Sequence, residues 1–90
     1  LIALANEPDP IQVTIAPNPA EQLCLISLSQ PLTVATTLKL TDASGRTVLE
    51  QNLLPGQTKA TLPVGKLASG SYFLQLDSDK TRHVRRLIKL

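Results

Sequence analysis

Val34, Thr36, Leu38 and Leu40 alternate with Ala35, Thr37, Lys39 and Thr41. An apolar period of two points one face of a strand inward, and no helix can sort these residues that way. The β-branched residues in the run add to the case, because their stiff side chains suit a pleated surface. The same short period returns in Ile11, Val13 and Ile15, and again where Tyr72, Leu74 and Leu76 alternate with Phe73, Gln75 and Asp77. Residues 22–28 are almost continuously apolar (Leu23, Cys24, Leu25, Ile26, Leu28), which predicts a central strand covered on both faces.

Turn formers separate these runs. Pro17-Asn18-Pro19 stops the first strand and Gln30-Pro31 the second. Asp42-Ala43-Ser44-Gly45 predicts a hairpin loop in which Gly45 takes a positive φ, with residues 46–53 pairing back. Pro55-Gly56 is a further turn, and Pro63 places the strand at residues 58–62 at an edge or at its end. Leu67-Ala68-Ser69-Gly70 turns the chain again, and Asp77-Ser78-Asp79-Lys80 is a polar hairpin tip. The expected fold is therefore all-β, an immunoglobulin-like antiparallel β-sandwich of about seven strands. The Cys, Trp, Cys spacing of antibody domains is missing, so that likeness is one of architecture.

Residues 81–90 are less regular. Val84, Ile88 and Leu90 share one parity with Arg86 between them, so either a β-bulge resets the register near Arg85 and Arg86 or Arg86 sits at a rim.

Ninety residues suit one domain with a thin core, since such a chain buries only roughly 60–65 % of the surface it exposes unfolded. Aromatic residues make up 2 % of the chain, so Leu, Ile, Val and Ala must fill that core, with Tyr72 and Phe73 as its large rings. The single cysteine, Cys24, sits in an apolar strand and reads as a small buried hydrophobe. No apolar run approaches the roughly 20 residues that cross a bilayer. Residues 1–10 end in Asn6-Glu7-Pro8-Asp9-Pro10 and read as an interdomain linker, with the domain at residues 11–90 and a larger protein ahead of both.

Catalytic chemistry lacks its parts. His83, the sole histidine, lies in the basic last run, where a surface side chain is the default. Asp77 and Asp79 are too few for a calcium site, and there is no P-loop, no dinucleotide fingerprint and no Cys/His ligand set. No catalytic residue, metal site or cofactor is expected, and the chain is not read as an enzyme.

Charge is more informative. Lys80, Arg82, Arg85, Arg86 and Lys89 place five of the nine Lys and Arg in the last eleven residues. Nucleic acid is a poor fit, because single-strand binders need aromatic platforms and Tyr72 and Phe73 belong to another strand, expected to face the core. Lys and Arg on a terminal strand can simply guard an edge. The sharper reading is that a partner grips this exposed strand by main-chain β-augmentation and charge complementarity.

Four blocks, in order, resemble the type A C-terminal sorting domain of Bacteroidetes type IX secretion (Por secretion system) substrates. Ile15-Ala16-Pro17-Asn18-Pro19-Ala20 is similar to the family's opening Pro-Asn-Pro motif. Leu40-Thr41-Asp42-Ala43-Ser44-Gly45-Arg46-Thr47-Val48 is similar to its Asp- and Gly-bearing hairpin, and Leu67-Ala68-Ser69-Gly70-Ser71-Tyr72-Phe73-Leu74 to its Leu, Gly, Tyr block. Arg85-Arg86-Leu87-Ile88-Lys89-Leu90 resembles its basic-apolar terminus. Ala16 stands where the family often has an aromatic residue or Ser, and residues 1–10 carry no obvious cleavage signature.

The resemblance implies a domain that passes through the periplasm, is read by an outer-membrane translocon and its shuttle components, and directs a larger protein to the cell surface or beyond. Where processing occurs, a surface sortase-like protease removes the domain at the linker and transfers the cargo to anionic lipopolysaccharide. The resemblance assigns recognition to Lys80, Arg82, Arg85, Arg86, Leu87, Ile88, Lys89 and Leu90. Pro17, Asn18, Pro19, Asp42, Gly45, Leu67, Gly70 and Tyr72 are its structural positions, with Gly45 and Gly70 expected where a Cβ would clash. Alternatives are a structural Ig-like spacer or adhesive module, and a sorting-like domain retained on a component of the secretion machinery. Exposed first and last strands also allow exchange between protomers, giving a strand-swapped homodimer.

Overall fold

A computed structural model describes residues 11–79 and 81–90. Seven strands follow in chain order: β1 (Val13–Ala16), β2 (Leu23–Leu28), β3 (Thr36–Asp42), β4 (Thr47–Leu53), β5 (Lys59–Pro63), β6 (Gly70–Asp77) and β7 (Arg82–Lys89). They form two antiparallel sheets, one ordered β1-β2-β5 and the other β4-β3-β6-β7. Two facing sheets of this connectivity make the expected immunoglobulin-like sandwich, with β4 on the same sheet as β3, β6 and β7.

Alternation builds the core. Cys24, Ile26 and Leu28 of β2 point inward and meet Leu38 and Leu40 of β3, Leu62 of β5 and Leu74 and Leu76 of β6. Tyr72 is the core's one aromatic ring, because the inward parity of β6 turns Phe73 to solvent. Cys24 is buried, its thiol 3.7 Å from the Pro17 carbonyl and its pKa raised by desolvation, as suits a structural cysteine.

One expectation from the sequence is corrected here, and one choice that the sequence left open is decided. β2 is the middle strand of its sheet, but only one of its faces is covered: Leu23 is 57 % exposed and Leu25 39 %. Both leucines face outward because the sandwich has two layers and nothing among the described residues lies beyond this sheet. Second, β7 pairs with β6 without a break from Gly70 opposite Lys89 to Asp77 opposite Arg82, so there is no bulge near Arg85 and Arg86. The register slips instead between β3 and β4, where Leu40 faces Leu49 and Thr41 faces Thr47, leaving Val48 as the extra residue just past the hairpin turn.

The turns explain the family-like motifs. Asp42 ties its loop together through one carboxylate. Its Oδ1 accepts from the Ser44 hydroxyl at 2.7 Å and from the Ser44 and Arg46 amides at 3.0 Å, while Oδ2 accepts from Arg46 Nε at 3.2 Å. These bonds hold the Asp42 carboxyl below its ordinary range, the Ser44 hydroxyl contributing most. Gly45 has φ +90° and Gly70 φ +149°, yet a Cβ at either would meet nothing within 4 Å. The glycines are needed for their left-handed backbone, not to avoid the clash expected from the sequence.

Tyr72 closes the turn into β6. Its hydroxyl donates to the Ala68 carbonyl at 2.6 Å, four residues upstream, in the manner of the tyrosine corner of immunoglobulin-like sandwiches. Leu67 packs half-buried against the core, and its amide donates to the Val64 carbonyl at 3.0 Å. The bonds preceding Pro17 and Pro19 are both cis.

Candidate recognition surface

β7 lies at the edge of the four-stranded sheet, and its register decides which side chains a partner can reach. Leu87 points inward and is fully buried at 0 %, and Lys89 follows at 8 %. The Lys89 stem is covered while Nζ donates to the Leu90 carbonyl at 2.8 Å. The opposite parity, Arg82, Val84, Arg86 and Ile88, faces outward. This settles a phase that the sequence left open, since Val84 and Ile88 share one parity and Leu87 and Lys89 the other. Leu87 alone fills the core position, and the thin sandwich needs no more from β7 at that end.

The outer edge of β7 is largely occupied. Asn18 acts as a piece of neighbouring strand: its Oδ1 accepts from the Ile88 amide at 3.0 Å and its Nδ2 donates to the Arg86 carbonyl at 3.1 Å. Ala20 continues the clasp as an isolated parallel bridge, its amide donating to the Ile88 carbonyl at 2.8 Å and its carbonyl accepting from the Leu90 amide at 2.9 Å. One step upstream, Arg85 Nη1 donates to the Val84 carbonyl at 2.8 Å. Main-chain augmentation needs a row of unpaired N–H and C=O groups, and from Val84 to Leu90 most of that row is already bonded. The sequence-based expectation of a strand open to backbone pairing is corrected accordingly.

What remains accessible is a face of side chains. The β6–β7 register sets Phe73 directly opposite Arg86. Val84 and Ile88, two positions either side of Arg86, are diagonal neighbours of the Phe73 ring. Phe73 is 41 % exposed and Val84 45 %. Further along the same face Arg82 binds Asp77, Nε to Oδ1 at 2.8 Å.

The pattern of the secretion system C-terminal sorting domain family, the Por secretion tail, matches residues 14–90. The chain belongs to that family. It is thus a type IX secretion C-terminal sorting domain, and its family is a sorting signal, not a catalytic one. Export to the cell surface or secretion follows from membership. Among solved structures, dimeric latent PorU from Porphyromonas gingivalis is similar in fold, with a TM-score of 0.68 at 14 % identity over 99 % of this chain and 10 % of that one. No curated protein matches the chain in sequence.

Of the eight residues expected to form one basic recognition strip, the seven that the structure describes separate into three groups. Arg82, Arg86 and Leu90 are exposed, and Arg85 and Ile88 are half-buried. Leu87 and Lys89 belong to the interior, and Lys80 lies outside the described residues, as do residues 1–10, the expected linker. Phe73 and Val84 share the exposed face with Arg82 and Arg86, and the parity of Tyr72, Leu74 and Leu76 is enough to put Phe73 on the outside.

At the far end of the sorting domain a cleft of about 490 Å³ opens between the sheets, lined by Ile11, Leu32, Val34, Leu76, Asp79 and His83 among others. Among the described residues no three His, Cys, Asp or Glu side chains gather where a metal ion could sit.

Proposed function

We propose that the domain is exported as a folded unit whose shape, and not a linear tail, is what the type IX machinery reads. On this reading it crosses the periplasm with a shuttle component, is engaged by the outer-membrane translocon, and carries with it the larger protein attached ahead of residues 11–90. Residues 1–10 are the linker at which a surface sortase-like protease acts where processing occurs, and the cargo is then anchored at the cell surface. The domain is a substrate in these steps and performs no chemistry itself. Arg82, Arg85, Arg86, Ile88 and Leu90 supply contacts to the machinery, whereas Leu87 and Lys89 act by keeping β7 in place.

The observation that carries this reading is the Asn18 clasp. The family's first motif binds the backbone of its last one, across seventy residues, so the terminal strand is presented only when the sandwich has closed. A reporter fused ahead of residues 1–90 in a type IX-competent bacterium tests it. Surface delivery of the intact fusion, and its loss when residues 82–90 are removed, is the expected result. Equal export of both, or of neither, overturns it.

A second reading, a spacer or adhesive module, is favoured by one feature. Leu23 and Leu25 expose apolar surface on the outer face of the β1-β2-β5 sheet, where a neighbouring domain could pack. Substituting both with Thr then costs cargo stability while leaving export intact.

A further inference from the structure

We propose that the outer face of the β6–β7 hairpin, centred on Phe73 and Arg86, is the docking surface for a protein partner that offers an apolar pocket bordered by a carboxylate. This inference rests on the export reading above and names the part of the domain through which it operates.

The argument starts from scarcity. The chain has one Tyr and one Phe, and a core this poor in rings gains most by burying both. Tyr72 is buried, but Phe73 is held outward by the parity that buries Tyr72, Leu74 and Leu76. Its ring is joined there by Val84 and Ile88, so apolar area gathers at one place instead of being scattered. Arginine is among the residues enriched where binding energy concentrates in protein interfaces, and phenylalanine is enriched in interface cores relative to the rest of the surface.

Charge then selects the partner. Arg82 on this face is neutralised by Asp77, and Lys39 stands opposite Glu50 in the β3–β4 register. Arg86 stands opposite Phe73 instead of an acid, and no ion pair forms at its guanidinium among the described residues. Its guanidinium can lie over the ring and still present donors to a planar carboxylate. A bilayer surface, uniformly anionic, fits a field of like charges. The interleaved Lys39, Glu50, Asp77 and Arg82 oppose such a field and instead favour a partner with its own fixed pattern of charges.

Because most of the backbone edge of β7 from Val84 to Leu90 is bonded to Asn18, Ala20 and Arg85, side chains are the groups left to carry this contact. The outer face of the other sheet, with Leu23 and Leu25, has neither ring nor arginine and serves as the comparison surface.

The test uses the reporter fused ahead of the whole chain, with Phe73→Thr, Arg86→Glu, Arg86→Lys and Leu25→Thr, beside removal of residues 82–90. Each point variant is also purified and its urea midpoint measured, so that only folded point variants are scored, while the truncation, which removes a whole strand, serves as the reference for lost export. The expected result is a fall in surface reporter of roughly tenfold or more for Phe73→Thr and Arg86→Glu, partial retention for Arg86→Lys, and no change for Leu25→Thr. Thr is a good strand former, and Arg86 is exposed, so both variants keep the sheet. If the two variants fold and export normally while removal of residues 82–90 blocks delivery, this surface is overturned and the export reading stands. If that removal also leaves delivery intact, the export reading fails. Co-sedimentation with phosphatidylglycerol vesicles supplies a separate arm: binding that Arg86→Glu abolishes assigns the patch to lipid and overturns the protein-partner proposal.

Discussion

The side chain of Asn18 stands in for a strand beside Ile88, accepting that residue's amide at 3.0 Å while its own amide donates to the Arg86 carbonyl at 3.1 Å. A bond of this kind contributes about 0.5–1.5 kcal/mol net, so Asn18→Ala should lower stability by about 1–2 kcal/mol. Urea unfolding measures the loss, and the Ile88 amide should exchange faster with solvent. Asn18→Asp separates the two bonds, because it keeps the acceptor for Ile88 but loses the donor to Arg86. Ile88 should then stay protected although the domain is weakened. Freed from its clasp, β7 is also the strand that two copies would exchange, and a larger dimer fraction for Asn18→Ala in size-exclusion chromatography is expected; an unchanged monomer argues against strand swapping through β7.

Asp42 makes the domain sensitive to acid. Its carboxyl is held below its ordinary value of 3.8, first by the Ser44 hydroxyl and then by the Arg46 amide. A carboxyl whose pKa is depressed on folding stabilises the native state at pH values above the unfolded pKa, and this contribution is lost as pH falls through the folded value. Stability measured from neutral pH down through that acid range should therefore decline, and Asp42→Asn should flatten part of the decline. A variant with the same acid dependence as the wild type would remove Asp42 from this role.

The Tyr72 hydroxyl bond tests the corner at the start of β6. Phe in its place keeps the ring in the core and removes only the donor to Ala68. The expected cost is about 1 kcal/mol, or a fall of about 4–8 °C in Tm for a domain of this size, and calorimetry reads it directly.

How far the sequence carries the structure depends on which residues faced a single choice. Leu38 and Leu40 alternate cleanly with polar neighbours, and Tyr72, Leu74 and Leu76 hold one parity of β6 with Gln75 and Asp77 on the other, so strand and facing are both legible. Asp42 and Gly45 announce their hairpin because only certain residues close such a loop. In β7 both parities contain apolar and basic residues, and local pattern cannot choose between Val84 with Ile88 and Leu87 with Lys89. The choice is made by β6, whose register places Leu87 opposite Tyr72 on the core side. β2 fails for a related reason: an unbroken apolar run suits two covered faces, but a two-layer sandwich supplies only one. The proposed recognition surface is therefore half legible, with Arg82 and Arg86 pointed to by charge and Phe73 hidden by the assumption that a scarce ring is a buried one.

Leu87 and Lys89 give the sharpest test of the new phase of β7. If these residues formed an exposed strip, replacing either would leave folding unchanged and alter only recognition. In the observed packing Leu87 is fully buried, so Leu87→Ala should cost about 2–5 kcal/mol by removing apolar contacts and leaving a cavity. Lys89 is different, because its stem packs inside while Nζ donates to the Leu90 carbonyl. Lys89→Met preserves that stem in shape and should hold stability within about 1 kcal/mol of the wild type. Lys89→Ala loses the packing and should be clearly weaker than Lys89→Met, although both remove the same charge. Urea midpoints of the three variants decide the matter: equal values for Lys89→Met and Lys89→Ala, with Leu87→Ala at wild-type stability, would return these side chains to the surface and reverse the face that β7 presents.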